Sequence, residues 1–594
     1  MKFLKVFLAG ILAFVVGSFL MMFLWVFILL GIAGSMKGPV VAVKDNSILK
    51  IDLAETIIDA PASDPFSAIN VMTLEATPQL PILKVLRAIE AAKSDARIKG
   101  IYLRMNGIGG ISGAALVEEL RAALVDFKQS GKFVVSYNET YSQGTYYLAS
   151  VADKIYLQPE GGMEWAGMAF NLMFYKGLMD KLDVKAEIFR PTACKYKSAV
   201  EPYILDKMSD ANRAQMQDLV SSMWSTITSA VSESRGMSVD SLNMLADNLQ
   251  VSLPEDALKY RFVDGLIYED QMKDVFKEQG VVPDSKDEYS FISLGDYAAQ
   301  VGADLKNVSA SQVAIIYADG SIVDGDGYGA NIFGNSLAKT IAGVRADDKV
   351  KAVVLRVNSP GGSALASDVI WREIELLKAQ KPVVVSMGSY AASGGYYISC
   401  PADVVVADKM TLTGSIGVFG MFFNTKDALQ NKLGITKDGV KSNTSAGMGM
   451  LGALTPAERA SIMRGVDKVY TTFTSNVAKG RNLPIEKVLD IAGGRVWSGE
   501  DALSIGLIDT YGGLNTAIAL AADKAELGAD FRVVEVMETP TGLAAILASL
   551  QMNIRAHIQQ SELGLLMKEY KKVQEITTQQ GVVMYYPYTL DMLW

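Results

Sequence analysis

Lys349-Val-Lys-Ala-Val-Val-Leu-Arg-Val-Asn-Ser-Pro-Gly-Gly362 decides how the chain is read, because it is written twice. Its echo is Arg97-Ile-Lys-Gly-Ile-Tyr-Leu-Arg-Met-Asn-Gly-Ile-Gly-Gly110. Working outward, Phe133-Val-Val-Ser136 followed by Gly144-Thr-Tyr-Tyr147 returns as Val383-Val-Val-Ser386 followed by Gly394-Gly-Tyr-Tyr397. Glu255-Asp-Ala-Leu258 with Val263-Asp264 returns as Glu500-Asp-Ala-Leu503 with Ile508-Asp509. The offset narrows only from 252 residues at Gly110 and Gly362 to 245 at Glu255 and Glu500, so the chain is an internal duplication. Within each copy, short β-branched runs (Val313 to Tyr317, Ala352 to Val357, Pro382 to Ser386) alternate with helical patterns such as Ala364 to Ala379. Strands separated by helices of that length predict an α/β fold with parallel sheets and crossover helices. Two long amphipathic stretches, Ala211–Ser234 and Pro456–Lys479, fall at matching places and are expected as extra helical arms.

Upstream of the first copy, Phe7 to Met36 carries no charged residue, enough helix to cross a hydrocarbon layer of about 30 Å. Lys2 and Lys5 precede it and Lys37 follows, which orients residues 1–6 to the cytoplasm and the body to the far side. Ala33-Gly34-Ser35 resembles a signal-peptide cleavage site, but the apolar run is about twice the 7–15 residues of such a peptide, so a retained anchor over 7–36 is expected. The acidic balance, net charge −9, offers no electrostatic footprint for nucleic acid. Two cysteines, Cys194 and Cys400, lack metal-ligand spacing and read as small buried thiols rather than a disulfide scaffold.

The single histidine, His557, lies outside both copies, which argues against Ser-His-Asp and Cys-His mechanisms. Acid–base work at neutral pH then falls to a carboxylate, a tyrosine, a metal or a lysine of lowered pKa. Ser389-Tyr-Ala-Ala-Ser393-Gly-Gly-Tyr-Tyr397 follows an apolar strand and precedes a helical pattern. Small residues flanking Ser393 at such a turn let a substrate carbonyl approach, and the helix N-terminus stabilises developing negative charge. A serine that merely caps the helix is the competing reading. Asn358-Ser-Pro-Gly-Gly362 ends the preceding strand. Since neighbouring strands of a parallel sheet open onto one crevice, the Gly361 and Gly394 amides are candidate oxyanion donors.

Asn358-Ser-Pro-Gly-Gly362, Met387-Gly-Ser-Tyr-Ala-Ala-Ser393-Gly-Gly-Tyr396 and Thr413-Gly-Ser-Ile-Gly-Val418, in that order, resemble the signature of the signal peptide peptidase A (protease IV) family in its long, tandem-domain form. The resemblance runs from the anchor to about residue 535. It implies the Clp protease and crotonase fold and a Ser-Lys dyad needing no cofactor. It also implies cleavage of apolar peptides, signal peptides among them, by a homotetramer with its body in the periplasm. Lys195-Tyr-Lys197-Ser-Ala-Val-Glu-Pro202 is similar to the family's base-bearing segment, with Lys197 as general base and Lys195 its competitor. Ser415 matches the residue that orients the base, and Cys194 stands where a small residue is expected. Aligning the copies sets Gln143 opposite Ser393, and the Lys197 segment opposite Ser442-Asn-Thr-Ser-Ala-Gly-Met448, which has no lysine. Each copy thus keeps one half of the dyad. The expected organisation is 37–300 supplying Lys197, 301–540 supplying Ser393, and a C-terminal helix and aromatic tail over 541–594 whose role is unassigned. An acyl-coenzyme A enzyme of crotonase type and a catalytically silent membrane scaffold are the alternatives, and neither needs this reciprocal loss.

Overall fold

A computed structural model describes residues 41–61, 78–105, 110–285, 288–304, 309–446, 449, 452–537 and 583–585, together with two helical positions at 17 and 21. Residues 1–6, His557 and, apart from those two positions, the expected anchor over 7–36 lie outside the described residues. Among the described residues no helix is long and apolar enough to cross a membrane.

Two sheets carry the fold, parallel throughout except where Val496–Ser498 pairs antiparallel with Leu412–Gly414 at the edge of the second. The first orders its strands as Gly265–Leu266, Lys154–Met163, Phe133–Tyr141, Ile98–Leu103, Ser47–Ile51 and Phe291–Ser293. The second runs Val496–Ser498, Leu412–Gly414, Val383–Ala392, Val350–Ser359, Gln312–Asp319 and Arg532–Val536. Val404–Ala407 also pairs with Val383–Ala392 and continues to Thr510–Tyr511. The strand interiors are buried Val, Ile, Leu and Ala with little alternation, as expected where helices cover both faces. The helical arms are Asp210–Arg235 and Pro456–Gly480, each opened by a hydroxyl cap, Ser209 Oγ accepting from Asn212 N and Thr455 Oγ1 from Glu458 N.

The duplication extends to individual hydrogen bonds. Tyr146 donates its hydroxyl to Phe262 O (2.9 Å) and Tyr396 to Leu507 O (2.8 Å). Asp264 accepts from Ile155 N (2.8 Å) as Asp509 accepts from Val405 N (2.7 Å), and Asp153 accepts from Val134 N as Asp403 does from Val383 N. These matched pairs fix the register in which Gln143 stands opposite Ser393. One expectation is corrected: the strand expected to end at Ser386 continues to Ala392. It pairs with Val350–Ser359 up to Met387, breaks register, and then pairs with Leu412–Gly414. The small residues read as a turn are therefore the bent end of a strand, which carries the following serine further into the molecule.

The described residues from Val43 onward form one compact unit. One core cluster joins Leu83, Leu86, Leu116 and Leu120 of the first repeat to Val313, Ile315, Val354, Val384 and Ile518 of the second. Lys185–Phe189 and Gly420–Asn424, one strand from each repeat, form an antiparallel ribbon. Beneath the second sheet lies an ionic cluster. Arg356 binds Asp59 through two contacts (2.6 and 3.1 Å), Glu119 (2.6 Å) and Ser386 Oγ (2.7 Å), with Arg356, Asp59 and Glu119 all buried. Glu119 also accepts from Leu514 N (2.7 Å). Charges so far from water persist only because each is paired and hydrogen-bonded.

Candidate active site

Ser393 caps the helix Gly394–Ser399 in position but not with its side chain, which makes no capping bond. Its backbone sits at φ 58°, ψ −114°, a region unfavourable for any residue with a Cβ. The Ser393 N–H donating to Gly414 O (2.8 Å) and the bent strand behind it hold that strain. In the first repeat, Ser142 Oγ does cap its helix, accepting from Thr145 N (3.3 Å). Gln143, at the position of Ser393, spends its amide on the neighbouring loop, accepting from Ala166 N (2.8 Å) and Gly167 N (2.7 Å). The competing reading of Ser393 as a helix cap therefore fails, since its hydroxyl is directed elsewhere.

That direction is toward Lys197. Its Nζ lies 2.6 Å from Ser393 Oγ, 2.9 Å from Ser415 Oγ and 3.0 Å from Ser415 O. Lys197 is 2% exposed, and burial pulls its ammonium down to about 7. The competitor, Lys195, is exposed with its amine over the Tyr196 ring. The three neighbours of Nζ suit both protonation states. An ammonium donates to all three oxygens. A neutral amine donates to Ser415 twice and receives the Ser393 proton in its lone pair. Ser415 takes φ 51°, and its N–H donates to Arg495 O (2.7 Å).

The segment that carries Lys197 threads between the repeats. Tyr196 N donates to Gly493 O (3.0 Å), Lys197 N to Cys194 O (3.1 Å), and Arg190 to Lys197 O (2.9 Å). Glu201 anchors its far end by accepting from Ser209 N (3.1 Å), Ser209 Oγ (2.5 Å) and Asn212 Nδ2 (3.0 Å). Gly494, at φ 80°, clears the space: a Cβ there would fall 2.6 Å from Lys197 Cβ. Cys194 and Cys400 are both buried and free, as expected.

Gly361 and Gly394 come together as expected, since a Cβ on Gly361 (φ 99°) would fall 2.6 Å from Gly394 N. As the first residue of its helix, Gly394 has an N–H with no intrahelical acceptor. The Gly361 N–H donates to Ser359 Oγ (3.1 Å). Ser442–Ala446, which aligns with the Lys197 segment, lies exposed, and Met448 lies outside the described residues.

The sequence profile described as Peptidase family S49 matches residues 126–282 and again 375–528. The chain belongs to peptidase family S49. The S49 domain is present twice, and the S49 chain is a serine peptidase, a hydrolase of peptide bonds. It is 36% identical to "Protease 4" of Salmonella typhi over 532 residues, 87% of this chain and 84% of that one. "Protease 4" of Haemophilus influenzae is 37% identical over 447 residues, covering 73% of this chain and 71% of that one. "Serine protease SPPA, chloroplastic" of Arabidopsis thaliana is 33% identical over 508 residues, covering 83% and 72% respectively.

Three features of this S49 site escaped the sequence reading. Gly494 lies about 300 residues from the lysine it accommodates, and its only sequence signal is the pair Gly493-Gly494. The arginine of the repeated Leu-Arg pair was visible, but its partners Asp59 and Glu119 come from the other repeat. The strand Val583–Tyr585, from the unassigned tail, pairs antiparallel with Gly361–Ser363 beside the site.

Proposed function

We propose that this S49 peptidase acts by a Ser393–Lys197 dyad through an acyl-enzyme. Neutral Lys197 takes the Ser393 proton while Oγ attacks the peptide carbonyl carbon. The carbonyl electron pair moves onto the oxygen, where the Gly394 amide and the Gly361 amide receive it. Gly361 exchanges its bond to Ser359 Oγ for the stronger bond to an anion. Collapse breaks the C–N bond, the Lys197 ammonium returns its proton to the leaving amine, and water activated by the same lysine hydrolyses the ester. Ser415 orients the Lys197 amine. The observation that carries this reading is the 2.6 Å contact between Nζ and Oγ in a site dry enough to hold the amine near neutrality.

The proposed substrates are apolar peptides, including signal peptides left in the bilayer. A helix over 7–36 would hold the single-pass body at the inner membrane on its periplasmic side, and the proposed assembly is a homotetramer. The deciding measurement is turnover of an apolar peptide ester. Ser393→Ala and Lys197→Ala are each expected to lower kcat by about 10³-fold or more, and near-normal turnover in either would refute the dyad. A fluorophosphonate should label Ser393 only when Lys197 is present. Full-length chain should remain with washed membranes, whereas a chain begun at residue 41 should not.

A further inference from the structure

Resting on the dyad reading above, we propose that Gln215 is a positioning residue for the reaction, its one side-chain amide tying the segment that carries Lys197 to the edge strand against which Ser393 and Ser415 are held. Gln215 lies in the arm helix Asp210–Arg235 and is 1% exposed. Its Oε1 accepts from Val496 N (2.8 Å), and its Nε2 donates to Ser198 Oγ (3.4 Å). Ser198 directly follows the base and donates to Asn212 Oδ1 (2.9 Å), one turn back along the same arm. Val496 begins the edge strand Val496–Ser498 and pairs with Gly414, whose carbonyl accepts the Ser393 N–H (2.8 Å). The preceding residue, Arg495, accepts the Ser415 N–H on its carbonyl (2.7 Å). Gln215 therefore closes a circuit that begins at Lys197, crosses from one repeat to the other and returns through the two serines facing the amine.

The amide is the inner end of a polar seam between the arm and that strand. At helical spacing beyond it, Asp218 accepts from Arg495 (2.6 Å), Ser222 Oγ donates to Ser498 Oγ (2.8 Å) and Thr226 Oγ1 donates to Glu500 (3.4 Å). Arg495 also lies over the Tyr196 ring, 5.2 Å from its centroid, so the seam touches the residue on the other side of the base as well. The duplication separates this arrangement from a requirement of the fold. The two arms open with the equivalent caps Ser209 and Thr455, 246 residues apart, which sets Gln215 opposite Ser461. Ser461 is exposed, as is the Ser442–Ala446 segment that replaces the lysine segment in that copy. The buried amide accompanies the repeat that supplies the base.

The test uses full-length enzyme in detergent with the apolar peptide ester as probe. Gln215→Met keeps the side chain's length and removes both bonds, and Gln215→Ser substitutes the residue of the other copy. Each is expected to lower kcat about 10²-fold with KM little changed, because a reacting group loosened by about an ångström costs that much. Each is also expected to move the acid limb of kcat/KM to higher pH as water reaches the loosened amine, a shift that general destabilisation does not produce. Gln217→Met, on the exposed face of the same helix, is expected to match wild type. Wild-type kcat and acid limb in a folded Gln215 variant, with Ser393→Ala inactive, overturn this inference and leave the dyad standing. A fall in kcat with the limb unmoved, an equal fall in Gln217→Met, or failure of both Gln215 variants to fold also overturns it. Ester turnover that survives Ser393→Ala removes the dyad and this inference together.

Discussion

At the scale of single residues, the proposed chemistry depends on a lysine kept where an ammonium is costly. Because burial brings Lys197 to about 7 from an ordinary 10.5, kcat/KM for a neutral ester should fall about tenfold per pH unit well below 7 and level off above it. A profile flat from pH 5 to 8 would contradict that assignment. The same shift makes a stability prediction of definite sign. The folded state holds the proton less tightly than the unfolded chain does. The burial penalty is therefore full below about 7, shrinks as pH rises, and is gone above 10.5. Lys197→Met should accordingly raise the thermal midpoint more at pH 6 than at pH 10, while abolishing turnover. Gly494→Ala tests how finely the amine is placed. A methyl 2.6 Å from Lys197 Cβ, on a backbone at φ 80°, must displace the lysine. The expected result is a fall in kcat of about 10²-fold with KM little changed. The sequence singles out Ser393 and Lys197 by local flanking motifs, and the structure brings the two side chains within 2.6 Å. Gly494 is not singled out, because its requirement is set by a segment from the other repeat.

At the scale of elements, the strands and helices were the most legible part. Ala364–Ala379, expected helical, is a helix over Ala364–Lys378, and both amphipathic arms appear within a residue or two of their expected ends. The strand before Ser393 was misjudged because Gly388, Ala391 and Ala392 have the composition of a turn. They lie instead in a bent strand whose second half finds a new partner, and no local pattern announces a change of partner. The buried cluster shows the same limit, since pairing between Arg356, Asp59 and Glu119 is a property of the packed repeats. Arg356→Met should lower stability to denaturant by about 3–5 kcal/mol, because two buried carboxylates lose their counter-charge. Replacing Arg356, Asp59 and Glu119 together by apolar residues of similar volume should restore most of that loss. If the single and triple variants were equally unstable, the cluster would owe its effect to packing rather than charge.

For the molecule as a whole, the duplication gave the architecture, but the sequence did not show how far the copies had merged. Leu116 and Leu120 share a core with Val354 and Val384, and the Lys185–Phe189 ribbon needs a strand from each side. Residues 43–300 and 301–537 expressed separately should each be poorly soluble and inactive, and co-expression should restore ester turnover. Soluble, monomeric halves would show that the shared core is dispensable. The placement of the proposed dyad on different repeats also orders events during synthesis. Ser393 follows Lys197 by 196 residues, which at about 5–20 residues per second is roughly 10–40 s of translation. Throughout that interval the emerging polypeptide holds the proposed base with no nucleophile for it. A chain halted anywhere between residues 197 and 393 would therefore carry the proposed base and no proposed nucleophile.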